Sequence, residues 1–590
     1  MKFRKDINGL RAVAVLPVLF FHAEWDIFTG GFLGVDVFFV ISGFLISSNI
    51  LKDLDADVFS IPSFYNRRAR RILPALLFTC LITMLLSLLF MLPYELKNYG
   101  QSLVASLLAS NNFLLYLTSG YWSLATEFKP LYHTWSLGVE EQYYIIIPLL
   151  FTGLYRTTRN KLHAVTFTLL TILLISYYLS FHSQNIEFDF LMLSHRIWEL
   201  LSGSLLAILL RVKTTQKNNI LVLLGILLIF SSYSFPYMFS TNPAVYRLSP
   251  VLGTLLIISF SSDTLVMGRI LSCKILFLIG SWSYSIYLLH MPILAFLRLS
   301  MEENPSAFIQ IIFVLLAIPL ASLSWSFIEK PFKDPTIISQ KCFYSVHLIL
   351  AISLLTFGLI LHQSYGLQNY ISKYSYGNNP QQYNDKPYHF KKDSFEQNKK
   401  KRLLIIGNSF ARDFTNMIIE NNIEVSHEII YLPHLTKNLA LSKNLISSTD
   451  ITIVVSSSGM QQTEANPSKS QYLYDFLKKY SNGEFLLIGT KNFGRNNNFI
   501  LRKSTDELID YKVKISSTVL AANTIDKKIW GSHHIDLMAI LSSDHIHVPI
   551  FTPEGKLISF DTEHLTQDGA IHLGQLLLKH SILKGLLPRS

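Results

Sequence analysis

Charged residues and cysteines are both scarce in this sequence of 590 residues. Only 15% of the residues are Asp, Glu, Lys or Arg, whereas 50% are hydrophobic and 13% are aromatic. Soluble domains carry about 25% charged residues, so this composition excludes an ordinary soluble protein and indicates that much of the chain lies in a bilayer. The three cysteines, Cys80, Cys273 and Cys342, lie in or beside apolar segments without metal-ligand spacing, which excludes a disulfide framework and a zinc site.

The N-terminus lacks the cleavage site of a secretory signal. The segment MKFRKDINGLRAVAVLPVLFFH starts with basic residues, but Asp6 and Arg11 interrupt it and no small-residue cleavage site follows. We therefore expect a retained first membrane helix.

Long apolar runs are abundant, and all of them lie before residue 365. Runs able to cross about 30 Å of hydrocarbon predict eleven membrane helices. They cover residues 9–23, 33–51, 72–92, 142–155, 164–181, 196–210, 219–235, 248–261, 275–297, 308–327 and 344–362. The run at 101–117 is interrupted by Ser and Asn, and we expect a re-entrant or interfacial segment there, because a true span would reverse every later connection.

The net charge of +11 has a topological explanation. Most cations before residue 345 lie in alternate connections between the apolar runs, which the positive-inside rule assigns to the cytoplasm. Nucleic acid is therefore not an expected partner. An odd number of spans from a cytoplasmic start places everything after residue 363 outside the cytoplasm.

The composition changes sharply along the chain and predicts its domains. We expect a polytopic α-helical membrane domain at 1–340, a linking transmembrane helix at 341–363 and a linker or extension at 364–400. Residues 401–590 have the composition of a soluble α/β domain.

Ionisable residues in a membrane helix are costly, so they are hypotheses for functional sites. Arg11 and His22 bracket the first predicted span, eleven residues or about 16 Å apart along a helix. Asp36 lies in the glycine-containing segment GGFLGVDVFFVISGFLI, where it is either functional or the structural partner of an arginine.

Four arginines occupy five positions in FYNRRARRILP, just before the third predicted span. One interpretation is that the cluster does no more than fix the membrane topology. Guanidinium groups also bind phosphates in a bidentate manner, as an anionic acyl donor at the cytoplasmic face would require.

The segment HTWSLGVEEQYY brings acidic residues and a histidine to a membrane entry. On a helix, His133 and Glu140 are seven residues apart and share a face, so the carboxylate could orient the imidazole. The alternative is a solvated helix start, where the helix dipole favours acids such as Glu140 and Glu141.

The C-terminal part contains the elements of a nucleophilic site. KRLLIIGNS predicts a buried strand that runs into a turn, which exposes Ser409 near the N–H groups of the following helix. Near the C-terminus, Asp561 and His564 are three residues apart, so one turn of chain can bring the carboxylate to the imidazole. These three residues predict a Ser/His/Asp triad.

Six motifs, in this order, resemble the acyltransferase-3 family of membrane O-acyltransferases. They are RAVAVLPVLFFH, GGFLGVDVFFVISGFLI, FYNRRARRILPAL, HTWSLGVEEQYY, SWSYSIYLLHMP and WSFIEKPF. The resemblance implies a fold of about ten helices and the use of cytoplasmic acetyl-CoA or another acyl-CoA. It also implies that Arg11 and His22 are an essential pair, that Arg68 and Arg71 bind the donor and that Glu141 is the acid of a VEEQ motif. His290 in YLLHMP is a weaker candidate, which we interpret as a packed helix-end histidine.

The C-terminal residues resemble the SGNH hydrolase family, which implies a three-layer α/β fold and a catalytic triad of Ser409, Asp561 and His564. Asn408 stands where that family commonly has Asp. The family's oxyanion residues match Gly459 and, less closely, Asn492.

Together the two resemblances imply an O-acyltransferase, specifically an O-acetyltransferase, of the bacterial inner membrane with a periplasmic C-terminal domain. Its expected partners are acyl-CoA, the bilayer and a cell-surface glycan, namely lipopolysaccharide O-antigen, and no metal is expected. The alternatives are a peptidoglycan O-acetyltransferase, a transporter of acyl groups or glycans, and a membrane-tethered esterase.

Overall fold

The protein forms two compact units in a computed structural model. The structure describes residues 4–118, 126–213, 215–238, 240–368, 380–396, 400–433, 439–456, 468–508 and 510–579. The first unit comprises Met1–Leu89, Leu96–Arg298 and Asn304–Ser364, and the second comprises Phe90–Glu95, Leu299–Glu303 and Tyr365–Ser590.

The first unit is helical, and in the described residues eight of its helical segments are long and apolar enough to cross a membrane. These segments are Gly31–Asp55, Ile61–Phe90, Lys161–Phe181, Ile186–Val212, Pro243–Phe260, Lys274–Ser300, Ala307–Lys333 and Gln340–Gln363. Large apolar side chains on Lys161–Phe181, such as Phe167 and Ile175, are exposed, as expected for a face toward lipid. The chain is therefore a multi-pass membrane protein, as predicted.

Three other predicted spans also form helices, but these helices are less apolar or shorter than the eight segments above. Lys5–His22 contains Asp6 and Arg11, Thr134–Thr157 contains two adjacent glutamates, and Asn219–Ser234 has 16 residues. The helices of this unit within or between the spans are Gly34–Asp55, Ile186–Leu191, Leu193–Val212, Pro243–Tyr246, Leu248–Phe260, Val266–Leu271, Ala307–Leu315, Ala317–Ser324 and Lys330–Lys333.

The ambiguous run at 101–117 does not form one spanning helix. It is divided between Pro93–Leu107 and Asn111–Thr118, and Ala109 between them has a φ of 51°. At 1.5 Å per residue, helices of 15 and 8 residues are both too short to cross the hydrocarbon core. The break agrees with the expectation of a re-entrant or interfacial segment.

The second unit is an α/β domain built on a parallel sheet. Its strands are β1 (Lys401–Ile406), β2 (His427–Leu432), β3 (Ile451–Val455), β4 (Glu484–Ile488), β5 (Lys512–Lys514), β6 (His534–Ile535) and β7 (His547–Pro549). Five of them form the parallel sheet in the order β2-β1-β3-β4-β6, and β5 pairs with β7 in a separate antiparallel ladder. The predicted fold class, a polytopic helical membrane domain with a C-terminal α/β domain, is confirmed.

Helices pack on this sheet because its central strands are apolar on both faces. The helices are Pro380–Asp385, Ser409–Glu420, Leu439–Ser447, Ser468–Tyr480, Thr505–Leu508, Ser517–Trp530, Leu537–Leu541 and Gln567–Leu578. The last four residues of β1 are buried, and alternate residues point into separate cores: Leu403 and Ile405 into one, Leu404 and Ile406 into the other.

The order in which the chain adds strands to the sheet reverses at β1. It pairs with β2 on one side and with β3 on the other, both parallel. In open α/β sheets, ligands bind outside the carboxyl ends of the strands at such a position. The turn after β1 carries Ser409.

Two short segments that the sequence placed in the membrane domain belong to the second unit instead. The buried backbone N–H of Leu92 donates to Asn498 Oδ1 at 2.7 Å, and Leu92 joins the core around β1. The Asn496 side chain donates to the Met301 carbonyl at 2.7 Å. These packing contacts are formed by residues far apart in sequence, so composition did not predict them.

Candidate active sites

The turn after β1 holds Ser409 at the first position of the helix Ser409–Glu420. Gly407 has a φ of 146°, and a Cβ there would lie 3.0 Å from the Val455 carbonyl oxygen, so the turn requires glycine. Asn408 caps the helix, because its Oδ1 accepts the Phe410 N–H at 3.1 Å. This geometry fixes the backbone that carries the serine.

The structure brings the three predicted triad residues together. Nε2 of His564 lies 2.8 Å from Ser409 Oγ, and Nδ1 lies 2.7 Å from Asp561 Oδ2. The other Asp561 oxygen accepts the N–H groups of Glu563 at 3.0 Å and His564 at 2.7 Å. Because a carboxylate only accepts, Nδ1 carries the proton and Nε2 is the acceptor for the serine proton.

Electrostatics favour the ionised form of Asp561. Burial alone would raise the pKa of this carboxyl, but the His564 ring and the two backbone N–H donors outweigh it and hold the pKa below its usual value. Glu95, which belongs to the same unit, shows the opposite shift: burial, reinforced by the negative charge of Asp561, raises its pKa to about 8.

Asp413 and Lys491 support the triad, and neither was predicted from the sequence. Asp413 lies one helical turn after Ser409, and its Oδ2 accepts the N–H of Leu565, the residue after His564, at 3.1 Å. Lys491 Nζ lies 2.9 Å from the same oxygen, and both side chains are almost fully buried. The pair therefore connects the serine helix, the histidine loop and the end of β4. The sequence signal that could have indicated Asp413 is its position four residues after Ser409, on the same face of the predicted helix.

The predicted oxyanion residues are not brought to the serine by the described contacts. Gly459 lies outside the described residues. Asn492 Oδ1 accepts the N–H groups of Gly494 at 3.2 Å and Ser516 at 3.0 Å, and its Nδ2 donates to the Gly494 carbonyl at 2.8 Å. Asn492 thus closes its own loop, and its assignment to an oxyanion hole stays a prediction.

The membrane unit contains a second candidate site, a polar cavity between helices. Three arginines line it, Arg11, Arg68 and Arg71, together with Glu140 and Ser42. Glu140 accepts hydrogen bonds from Ser42 Oγ at 3.0 Å and Tyr144 at 2.7 Å. Three cationic side chains beside one carboxylate make the cavity suitable for an anion.

The four arginines of the cluster make different contacts although they lie on one helix. Arg68 and Arg71 line the cavity, whereas Arg67 pairs with Asp53 at 3.0 Å and Arg70 donates to the Phe332 carbonyl at 2.9 Å. Residues three apart share a helix face, which explains why the first and last of the RxxR motif point the same way.

The glutamate that lines the cavity is Glu140, whereas the family motif indicated Glu141. Glu140 is the cavity residue that accepts the two hydrogen bonds described above, and Glu141 is not among the lining residues. The expected hydrogen bond between His133 and Glu140 is not formed, because both ring nitrogens of His133 are buried without a hydrogen-bond partner among the described residues. His133 precedes the helix Thr134–Thr157, and seven residues of helix separate the two side chains by about 10 Å in height although they share a face.

His133 belongs instead to a group of aromatic and imidazole rings. Its ring centroid lies 5.3 Å from that of His290 and 5.3 Å from that of Tyr287. His22 is also 5.3 Å from His290. Thus Arg11 lies at the cavity and His22 lies in the histidine group, eleven residues apart on one helix.

Asp36 is the partner of two buried arginines, which was the structural alternative in the sequence. Arg196 approaches Asp36 at 3.4 Å and Glu199 at 3.1 Å, and Arg247 pairs with Asp189 at 2.8 Å and lies 3.9 Å from Asp36. All five side chains are at most 1% exposed. This network connects spanning helices inside the first unit.

Comparisons with known proteins agree with the motifs. A family model described as an acyltransferase domain matches residues 4–328, more than half of the chain. The O-acetyltransferases OatA of Staphylococcus aureus strains NCTC 8325 / PS 47 and COL are each 29% identical over 352 residues, which cover 56% of the chain and 57% of the relative. The chain thus aligns with somewhat more than half the length of these relatives. No solved structure gives a significant match.

Proposed function

The chain belongs to the acyltransferase-3 family, and from this premise we propose that it is an O-acetyltransferase that moves acyl groups across the bacterial inner membrane. The donor is cytoplasmic acetyl-CoA, and the acceptor is a hydroxyl of an extracytoplasmic glycan. The relatives named O-acetyltransferase support the type of acyl transfer.

The arginine-lined cavity supports an acyl-CoA donor. CoA carries phosphate groups, and guanidinium groups bind phosphate oxygens through paired hydrogen bonds. Arg11, Arg68 and Arg71 therefore hold the nucleotide end, and the apolar side chains that line the same cavity accommodate the acyl arm.

The triad supports acyl transfer to a hydroxyl in the C-terminal domain. Ser409 Oγ attacks the acyl carbonyl carbon while His564 Nε2 takes the serine proton, and His564 gives this proton to the carrier as the bond from the carbonyl carbon to the carrier breaks. An acyl-Ser409 ester results. A sugar hydroxyl then attacks this ester, gives its proton to His564 and releases Ser409 with its hydroxyl restored.

The observation that carries the proposal is that one chain contains both sites. A transporter has no need of Ser409, Asp561 and His564, and an anchored esterase has no need of a polar cavity with three arginines. A transferase that collects acyl groups on one side and delivers them on the other requires both.

The predicted topology supports delivery outside the cytoplasm. The connections Phe90–Glu95 and Leu299–Glu303 follow the third and ninth predicted spans, so both fall on the outer side. Both also belong to the second unit, which carries Ser409. Lipopolysaccharide O-antigen is the acceptor that we propose, and peptidoglycan is the alternative.

Mass spectrometry of surface glycans tests the proposal and identifies the acceptor. Cells that lack the gene are complemented with the unchanged chain, Arg68→Ala or Ser409→Ala. We expect O-acetyl groups on O-antigen sugars with the unchanged chain only. Arg67→Ala is the matched control, because Arg67 belongs to the same cluster but pairs with Asp53. Acetylation of peptidoglycan alone would select the alternative acceptor, and normal acetylation in Ser409→Ala would refute the acyl-serine step.

A further inference from the structure

Three imidazoles lie together inside the membrane unit, contributed by three separate elements. His22 ends the helix Lys5–His22, His133 precedes Thr134–Thr157, and His290 lies within Lys274–Ser300. His290 lies between the other two, with ring centroids 5.3 Å from each. His290 is completely buried and His133 is 1% exposed. Burial of polar rings without full hydrogen bonding is unfavourable, so this arrangement requires a reason.

The hydrogen bond of His290 fixes the position of its proton. Nδ1 lies 2.5 Å from the Tyr287 carbonyl oxygen. A carbonyl can only accept, so Nδ1 carries a proton, and in the neutral ring Nε2 then holds the lone pair. Nε2 is buried and has no hydrogen-bond partner among the described residues. In its neutral form, His290 therefore offers an accepting nitrogen that no described residue occupies.

Tyr287 connects the histidines to the arginine-lined cavity. Its side chain lines that cavity, and its hydroxyl donates to the His133 carbonyl at 3.0 Å. Its ring is 5.3 Å from both His133 and His290. The histidine group is thus adjacent to the space that we assign to the acyl donor.

A metal site does not explain the three imidazoles. Throughout the part of the chain that the structure describes, no group of three or more His, Cys, Asp or Glu side chains is arranged to hold a metal ion. Packing of the rings is the other explanation, but it does not account for a buried Nε2 on His290 that lacks a hydrogen-bond partner among the described residues.

Resting on the acyl transfer proposed above, we propose that His290 accepts the proton that His22 releases when His22 becomes acylated. The unprotonated ring nitrogen of His22 attacks the thioester carbonyl carbon, a C–N bond forms, and the C–S bond breaks with its electron pair on sulfur. The N–H proton of His22 passes to Nε2 of His290. His290 then gives this proton to the thiolate, so that the products are acyl-His22 and the thiol of CoA.

The decisive variant is His290→Asn, which distinguishes the role of Nδ1 from that of Nε2. The Asn amide can still donate to the Tyr287 carbonyl in place of Nδ1, but it has no group equivalent to the basic Nε2. His347→Asn is the matched control. His347 is also buried in a spanning helix, and its Nδ1 lies 2.7 Å from the Phe343 carbonyl. The ring neighbours recorded for His347 in the described residues are phenylalanines.

The experiment measures release of free thiol from acetyl-CoA by the full-length chain in proteoliposomes with an acceptor glycan present. It is run below the melting temperature of every variant. We expect His290→Asn to lower kcat by about 10²- to 10³-fold, in line with loss of a general base, with KM for acetyl-CoA within about twofold. His347→Asn should match the unchanged chain in both constants.

Two results would overturn the inference: a kcat for His290→Asn within threefold of His347→Asn, or a change confined to KM. The first would show that the Tyr287 hydrogen bond is all that His290 provides, and the second would show that His290 affects donor binding and not proton transfer. Failure of the proposed function gives a different result, because the unchanged chain would then release no thiol from acetyl-CoA.

Discussion

Asp561→Asn should inactivate the triad while it preserves the fold, and the structure determines why. Asp561 Oδ1 accepts two backbone N–H groups, at 3.0 and 2.7 Å. In the variant, the amide oxygen must keep this position, which turns the amide NH₂ toward Nδ1 of His564. Nδ1 then has to accept, so Nε2 carries the proton and cannot take one from Ser409. The variant therefore locks His564 in the wrong tautomer.

The expected loss is large because proton removal from Ser409 depends on that tautomer. Equivalent substitutions in Ser/His/Asp triads lower kcat about 10⁴-fold, which corresponds to roughly 5.5 kcal/mol of activation free energy. We expect a fall of about 10³- to 10⁴-fold in hydrolysis of a small chromogenic acetyl ester by the full-length chain in detergent.

A second Asp-x-x-His pair in the same domain provides a matched control. Asp544 Oδ1 accepts the N–H groups of Ile546 at 2.9 Å and His547 at 2.8 Å, and Oδ2 lies 2.7 Å from His547 Nδ1. This pair is exposed to solvent. Asp544→Asn should leave ester hydrolysis unchanged. If Asp561→Asn retains activity within threefold of this control, the assignment of the triad is wrong.

Three further predictions concern buried charges. Asp413→Asn leaves Lys491 buried without its partner and should lower the free energy of unfolding of the second unit by about 3 kcal/mol in urea melts, whereas an exposed pair would cost under about 1 kcal/mol. Glu140→Gln should reduce thiol release from acetyl-CoA roughly tenfold or more. Glu141→Gln should have less effect, because Glu140 lines the cavity and Glu141 does not. A larger loss in Glu141→Gln than in Glu140→Gln would contradict the assignment of the cavity. Glu95 has a folded pKa of about 8, raised from 4.5, so its contribution to stability is complete below pH 4.5 and is lost as the pH rises through 8. The melting temperature should fall less between pH 6 and pH 9 in Glu95→Gln than in the unchanged chain. An equal fall in both would refute the raised pKa of Glu95.

Local chain geometry explains which features could be predicted from the sequence. Ser409 follows an apolar strand directly, and Asp561 lies three residues from His564, so each feature is determined within a few residues. Hydropathy identified the membrane helices because every buried backbone group must be satisfied within the helix. Arg68 and Arg71 were singled out by the family resemblance, and the structure places both at the cavity.

Contacts between distant elements were not predictable in this way. Lys491 reaches Asp413 only because β4 and β1 are positioned by the sheet order. The ring neighbours of His133, Tyr287 and His290, lie on another helix, so the spacing within HTWSLGVEEQYY could not indicate them. His290 resembled a packed helix-end histidine because its neighbours, His22 and His133, come from other helices. Such residues are identified by tertiary packing, which a single sequence does not encode in any local pattern.

The central claim is that acyl groups enter from the cytoplasmic side and leave on the other side. Membrane vesicles of defined orientation test it directly, with radiolabelled acetyl-CoA added only to the outer solution and acceptor glycan enclosed in the lumen. Inside-out vesicles, whose cytoplasmic face points outward, should accumulate label on the enclosed glycan, and vesicles with Ser409→Ala should not. Labelling of enclosed glycan in neither case, or labelling that requires acetyl-CoA on the same side as the glycan, would contradict transfer across the membrane.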